Sequence, residues 1–263
     1  MSDANKSRII LALDTPVEQA EKLIVQLAPH VAGFKVGFRQ ITAGAAPSLI
    51  RRIKENGGRT FYDGKFKDIP NTVADAVAEL NNFGVWMLNG HCTGALAMMQ
   101  AAATAASKGT PPPLVLGVTL LTSLSYDDLH QMGSVELRPD AGAGLSQAEK
   151  DETVRRQVGL LALLAKHAGL NGVVASPKET QEVRGLLGEE GVIVTPAIRP
   201  TGAKADDQKR VGTARQAILD GSSYLVVGRP IYEAENPISA VLALNAEVEQ
   251  ALAEKEKGAV ATI

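Results

Sequence analysis

Short β-rich apolar runs recur eight times along the 263 residues, each followed by a longer segment of helical period. No other feature limits the possible folds so sharply, because strands alternating with helices pair in parallel and carry the helices across the sheet face. The runs are RIILALD (8–14), GFKVGF (33–38), TFYDGKF (60–66), VWMLNGH (85–91), PLVLGVTLL (113–121), GVVAS (172–176), VIVTPAI (192–198) and YLVVGRP (224–230). Eight strand and helix pairs predict an α/β fold of the (β/α)8, or TIM, barrel type. Residues 1–263 then form a single domain, with a charged helix end running into a frayed tail from about residue 256.

The intervening segments carry helix signals of their own. In PVEQAEKLIVQLAPHV, residues Val17, Ala20, Leu23, Ile24 and Leu27 share one face, and Pro16 stands where an early helical position loses nothing by lacking an N–H. Pro111, Pro112 and Pro113 read as a stiff turn into the fifth strand. Two connections exceed the usual length: GSVELRPDAGAGL after strand five and RPTGAKADDQKRVG after strand seven. Both follow C-terminal strand ends, where barrels hold ligands.

Composition removes several classes of function. With 45% hydrophobic residues, 21% charged residues and a formal net charge of -2, the chain has no basic excess for a nucleic-acid surface. A single cysteine, Cys92, forms no internal disulfide and reads as a small buried hydrophobe in a reduced, cytoplasmic protein. Neither a signal peptide nor an apolar run long enough for a membrane span is expected. His30, His91, His130 and His167 lie on different segments and only His91 ends a strand, so a metal-dependent epimerase barrel is disfavoured.

The polar residues at the strand ends carry more information. YDGKFKDIPNT (62–72) places Asp63, Lys65, Lys67 and Asp68 within six positions. Regular strand alternation puts Asp63 and Lys65 on the barrel interior, and Lys67, past the end of the run, is expected to point away from the substrate. Lys35 in strand two and Asp14 at the end of strand one join them at one opening. Such a group can be a structural ion-pair cluster, yet desolvating several charges seldom stabilises a fold, and these positions fall where barrels do chemistry. A line of alternating ammonium and carboxylate groups keeps its lysines protonated, so that one can stabilise developing negative charge and then supply a proton. Arg199 and Arg229 close strands seven and eight, where barrels often hold phosphate, and Gly228 permits close backbone approach.

DGKFKDIPNT resembles the D-x-K-x-x-D-I-P-N-T signature of the orotidine 5'-phosphate decarboxylase family. The order of LALD, FKVG, LTS, TPAIRP, DDQKRV and VVGRPI extends the resemblance over nearly the whole chain. It implies decarboxylation of orotidine 5'-phosphate to uridine 5'-phosphate, the last step of pyrimidine nucleotide synthesis, with no metal or organic cofactor. By the same resemblance Lys65 protonates C6 of the base, Asp63 faces the departing carboxylate, and Lys35 and Asp14 hold the ribose hydroxyls. Thr122 contacts the base, while Gln208, Gly228 and Arg229 take the phosphate with Arg199 at the same end. The family is homodimeric, with Asp68 and Thr72 reaching into the partner's site.

The chain departs from the family pattern at Gly64 and Lys67, expected to affect stability more than chemistry, and at Ala197, expected to crowd its turn. Magnesium-dependent sugar-phosphate barrels such as hexulose-phosphate synthase and ketogulonate-phosphate decarboxylase share D-x-K-x-x-D but not the DIPNT and TPAIRP context. A nucleotide-binding barrel without turnover is the alternative from outside enzymes, and the intact Asp63, Lys65 and Asp68 argue against it.

Overall fold

The computed structural model describes residues 7–135, 144–199 and 210–260. Its first half runs β1 (Ile9–Ala12), α1 (Val17–Leu27), β2 (Gly33–Val36), α2 (Phe38–Thr42), α3 (Ala46–Glu55), β3 (Thr60–Phe66), α4 (Pro70–Phe83), β4 (Met87–His91) and α5 (Ala95–Ala106). The second half runs β5 (Leu114–Val118), α6 (Tyr126–Gln131), α7 (Gln147–His167), β6 (Gly172–Val174), α8 (Thr180–Leu187), β7 (Val192–Thr195), α9 (Ala214–Leu219), β8 (Tyr224–Val227), α10 (Arg229–Tyr232) and α11 (Pro237–Val260). The strands pair in parallel in sequence order, and β8 pairs with β1 to close the barrel. This is the (β/α)8 fold that the eightfold alternation predicts.

Most strands end earlier than the apolar runs that announce them. Leu13, Leu120 and Ile198 lie beyond the last residues of β1, β5 and β7 but remain buried in the core. Burial therefore continues past the regular ladder, although Leu13 N–H still donates to Lys35 O at 3.0 Å, and an apolar run overstates strand length at the C-terminal end. Helix limits follow local chemistry more closely. Pro70 opens α4, Gly84 closes it in the left-handed conformation, and Ser146 with Glu149 forms a capping box at the start of α7.

Alternation along the strands separates two kinds of core. Ile10, Ala12, Phe61, Met87, Leu116, Val194 and Val226 fill the barrel interior. Their neighbours Ile9, Leu11, Phe34, Leu88, Val173, Ile193 and Leu225 pack outward under the helices. Each fully buried large side chain contributes about 2 kcal/mol through area removed from water. The inward series then changes character toward the mouth: Ala12 is followed by Asp14, Phe61 by Asp63 and Met87 by Asn89.

The opposite end is closed by rings. The Arg59 guanidinium lies 3.8 Å from the Trp86 ring centroid, Trp86 meets Tyr224 edge-on at 4.9 Å, and Arg8 lies 5.7 Å from the Tyr224 centroid. Among the described residues, no helix is long and apolar enough to cross a membrane.

Candidate active site

The charged strand ends converge on a cavity of about 540 Å³ at the C-terminal mouth, lined in part by Asp14, Lys35, Asp63 and Lys65. Lys35 Nζ lies 3.2 Å from Asp14 Oδ1 and 3.0 Å from Asp63 Oδ2, and Lys65 Nζ donates to Asp63 Oδ1 at 2.7 Å. The four groups form one chain of alternating sign. Its centre is dry and its end is wet: Asp63 is 6% exposed, whereas the Asp14 side chain is 44% exposed.

Burial alone would raise the Asp63 carboxyl. The Lys35 and Lys65 ammonium groups, with the Asn89 amide, reverse that effect and hold it well below the usual carboxylate range. Burial would likewise lower the Lys35 ammonium, but Asp63 and Asp14 outweigh it and leave Lys35 above its ordinary value. At neutral pH the interior thus holds an ionised Asp63 against a protonated Lys35.

The backbone that delivers Lys65 to this chain is not a regular strand. Tyr62 pairs with Leu88 and Phe66 with Gly90, so four steps along β3 span two along β4. The slack is a bulge in which Lys65 takes φ 46°, a left-handed conformation that costs a non-glycine residue about 1 kcal/mol or more. Lys65 and Asp63 share the interior as the sequence predicts, and the bulge is what alternation alone does not foresee.

Asn89, which is not among the residues that the sequence singles out, braces this bulge. Its Oδ1 accepts the Lys65 backbone N–H at 2.8 Å and its Nδ2 donates to Asp63 Oδ1 at 2.7 Å. One amide therefore fixes both the turned backbone and the carboxylate beside it. The available signal was a polar residue at an inward position of β4, two residues beyond Met87. Gln40 has a similar role for Asp14: its buried Nε2 donates to Leu13 O at 2.6 Å and Thr15 O at 2.7 Å, strapping the chain on either side.

Glycines make room at two places. A Cβ on Gly37 would stand 2.8 Å from Lys35 Nζ. A Cβ on Gly64 would stand 2.8 Å from the Tyr62 ring, which stacks with Phe66 at a centroid distance of 6.0 Å on the outer face. Gly64 thus admits a ring pair over the bulge.

Thr122, Arg199, Gly228 and Arg229 line the same cavity, as does Tyr232, which no sequence motif marks. Arg199 is held by its backbone N–H, which donates to Gly212 O at 3.0 Å. Ala197 takes φ 63°, so an alanine occupies a left-handed position that glycine would fill without strain. Gln208 lies outside the described residues, as do the central parts of the two long connections.

Asp68 and Thr72 do not join the cavity of their own chain. Both are exposed, and Asp68 Oδ1 accepts the Ile69 N–H at 2.6 Å. Lys67 is exposed as well. Cys92 is buried, and burial pushes its thiol up to about 12, as suits an inert core residue. His91 ends β4 half-buried, shifted down by burial and then by Lys65 and Lys67.

A family profile described as "Orotidine 5'-phosphate decarboxylase / HUMPS family" matches residues 7–244. The chain belongs to that family. The orotidine 5'-phosphate decarboxylase of Moorella thermoacetica is 46% identical over 250 residues, covering 93% of each chain. That of Nitrosococcus oceani is 43% identical over 92% of this chain and 98% of its own. A crystal structure of orotidine 5'-phosphate decarboxylase from Lactobacillus acidophilus superposes with a TM-score of 0.75 at 33% identity, covering 92% of this chain and 99% of that one. Family membership and the barrel therefore agree.

Proposed function

We propose that this chain is an orotidine 5'-phosphate decarboxylase that releases CO2 from its substrate to form uridine 5'-phosphate, completing pyrimidine nucleotide synthesis without a metal or organic cofactor. The observation that carries the reading is the Asp14–Lys35–Asp63–Lys65 chain in a cavity that Arg199 and Arg229 also line. Phosphate is gripped by Arg199, Arg229, the Gly228 backbone and Gln208, and the base is met by Thr122. Asp14 and Lys35 hold the ribose hydroxyls. This arrangement sets the substrate carboxylate against Asp63 and C6 of the base beside Lys65.

The C6–carboxylate bond breaks, its electron pair stays on C6, and CO2 departs. Lys65 then gives C6 a proton and regains one from water. The ammonium does most for the reaction as negative charge builds on C6, since a cation already oriented by the buried Asp63 needs little rearrangement at that moment. Phosphate binding at the far end supplies energy for orienting the reacting end. Asp68 and Thr72, exposed outside the cavity of their own chain, are assigned to the site of a second copy in a homodimer. Among the described residues the eight named strands belong to one barrel, which supports reading the chain as a single domain.

The deciding assay follows loss of orotidine 5'-phosphate absorbance in excess chelator, with Lys65→Ala as control. Rapid loss with the wild-type chain alone is expected. No loss from a folded wild-type chain would sink the proposal, and magnesium-dependent turnover of a sugar phosphate in its place would assign the site to sugar-phosphate chemistry.

A further inference from the structure

The mouth of the barrel holds a second buried ion pair, separate from the reacting chain. Glu179 and Arg210 are both buried, and Arg210 Nη1 donates to Glu179 Oε1 at 2.9 Å. The second Glu179 oxygen accepts the Ser176 hydroxyl. The other arm of the guanidinium donates through Nη2 to the carbonyls of Leu120 at 3.2 Å and Leu121 at 2.8 Å. Three connections meet at this one side chain. Leu120 and Leu121 follow β5 and directly precede Thr122; Glu179 follows β6; Arg210 itself follows β7.

The pair is also coupled to the phosphate end. Arg210 stands two residues before Gly212, whose carbonyl holds the Arg199 N–H at 3.0 Å and whose own N–H donates to Ala197 O at 3.3 Å. Neither Glu179 nor Arg210 lines the cavity itself. Buried ion pairs contribute little net stability, while the planar fork of arginine suits several fixed acceptors at once.

We propose that Glu179 and Arg210 are a positioning pair that fixes the Thr122 connection against the Arg199 turn, setting the spacing between the base-contacting and phosphate-gripping ends of the cavity. The inference rests on the decarboxylase reading and deepens it. A substrate anchored at both ends depends on that spacing; one lacking the phosphate does not.

The experiment compares kcat/KM for orotidine 5'-phosphate and for orotidine, its nucleoside, in wild type and Arg210→Lys, with circular dichroism to verify folding. Lysine keeps a charge beside Glu179 but gives up the fork. The nucleotide value should fall about 30-fold, of the order that a displacement of about 1 Å produces, with the nucleoside value changed less than about threefold. A double variant, Glu179→Gln with Arg210→Met, removes both charges together and should show the same asymmetry. Equal losses for both substrates, as a merely looser rim would give, or no loss for either, would overturn the pairing role while leaving the decarboxylase reading intact. A folded wild-type chain that decarboxylates neither substrate would overturn both.

Discussion

The two ends of the barrel use cations in opposite ways. At the closed end Arg59 and Arg8 lie against the faces of Trp86 and Tyr224. At the mouth Lys35 and Lys65 lie against Asp63, which is 6% exposed. A ring face accepts a cation without itself carrying a charge that must be desolvated, so the closed end can be sealed cheaply. Placing a carboxylate between two ammonium groups costs desolvation on every member. The closed end thus answers a packing problem, and the mouth retains a charge pattern that packing alone gives little reason to keep.

The largest expected effect tests whether the mouth is complete in one chain. Lys65→Ala and Asp68→Asn should each lower kcat about 10⁴-fold or more. Mixed one to one and allowed to exchange, they should recover about a quarter of wild-type activity, because half of the dimers are mixed and each has one intact site of two. Mixed dimers that form without recovering activity would show that Asp68 acts elsewhere.

Next comes the brace on the bulge. Asn89→Ala should cost about 2 kcal/mol of stability by orphaning the Lys65 N–H and one Asp63 bond, and about 100-fold in kcat by misplacing the ammonium. Denaturant unfolding and steady-state kinetics check the two parts separately.

A third test uses acid. Because the Asp63 pKa is depressed in the folded chain, its contribution is fully present above the unfolded carboxylate value, about 3.9, and is lost as pH falls through the folded value. The stability gap between wild type and Asp63→Asn should therefore narrow as pH drops below about 4. Lys35, with a raised pKa, runs the other way: its contribution is present below about 10.4 and is lost as pH rises through the folded value. A gap unchanged in acid would remove Asp63 from the centre of the network.

The smallest effect belongs to the closed end. Arg59→Ala should cost about 1 kcal/mol and leave kcat within about twofold, since it lies far from the reacting groups. Trp86 is the only tryptophan, so its emission reports the lost cation directly. A large loss of turnover would mean that the two ends are not independent.

The sequence was most legible where one local rule acts. The eight apolar runs gave strand order, and their inward positions brought Asp14, Lys35, Asp63 and Lys65 together. Long-range hydrogen bonding was far less legible. Asn89 reads as one more polar residue until its amide is seen spanning Asp63 and the Lys65 backbone, and Arg210 reads as a loop charge until three connections meet at it. Even the agreement on Lys65 concealed a difference, because strict alternation does not foresee two extra steps of chain between Tyr62 and Phe66.

Those two extra steps carry a consequence for substitution on the far side of the sheet. Tyr62 and Phe66 stack outside the barrel across Gly64, while Lys65, between Gly64 and Phe66, turns inward. A Cβ at residue 64 would stand 2.8 Å from the Tyr62 ring and 3.2 Å from that of Phe66, so a side chain there must shift a ring beside the bulge that carries the ammonium. The helix-facing surface of β3 is thereby constrained by the same bulge that brings Lys65 to the mouth, and the room left by one missing Cβ is shared between two rings on one side of the sheet and one cation on the other.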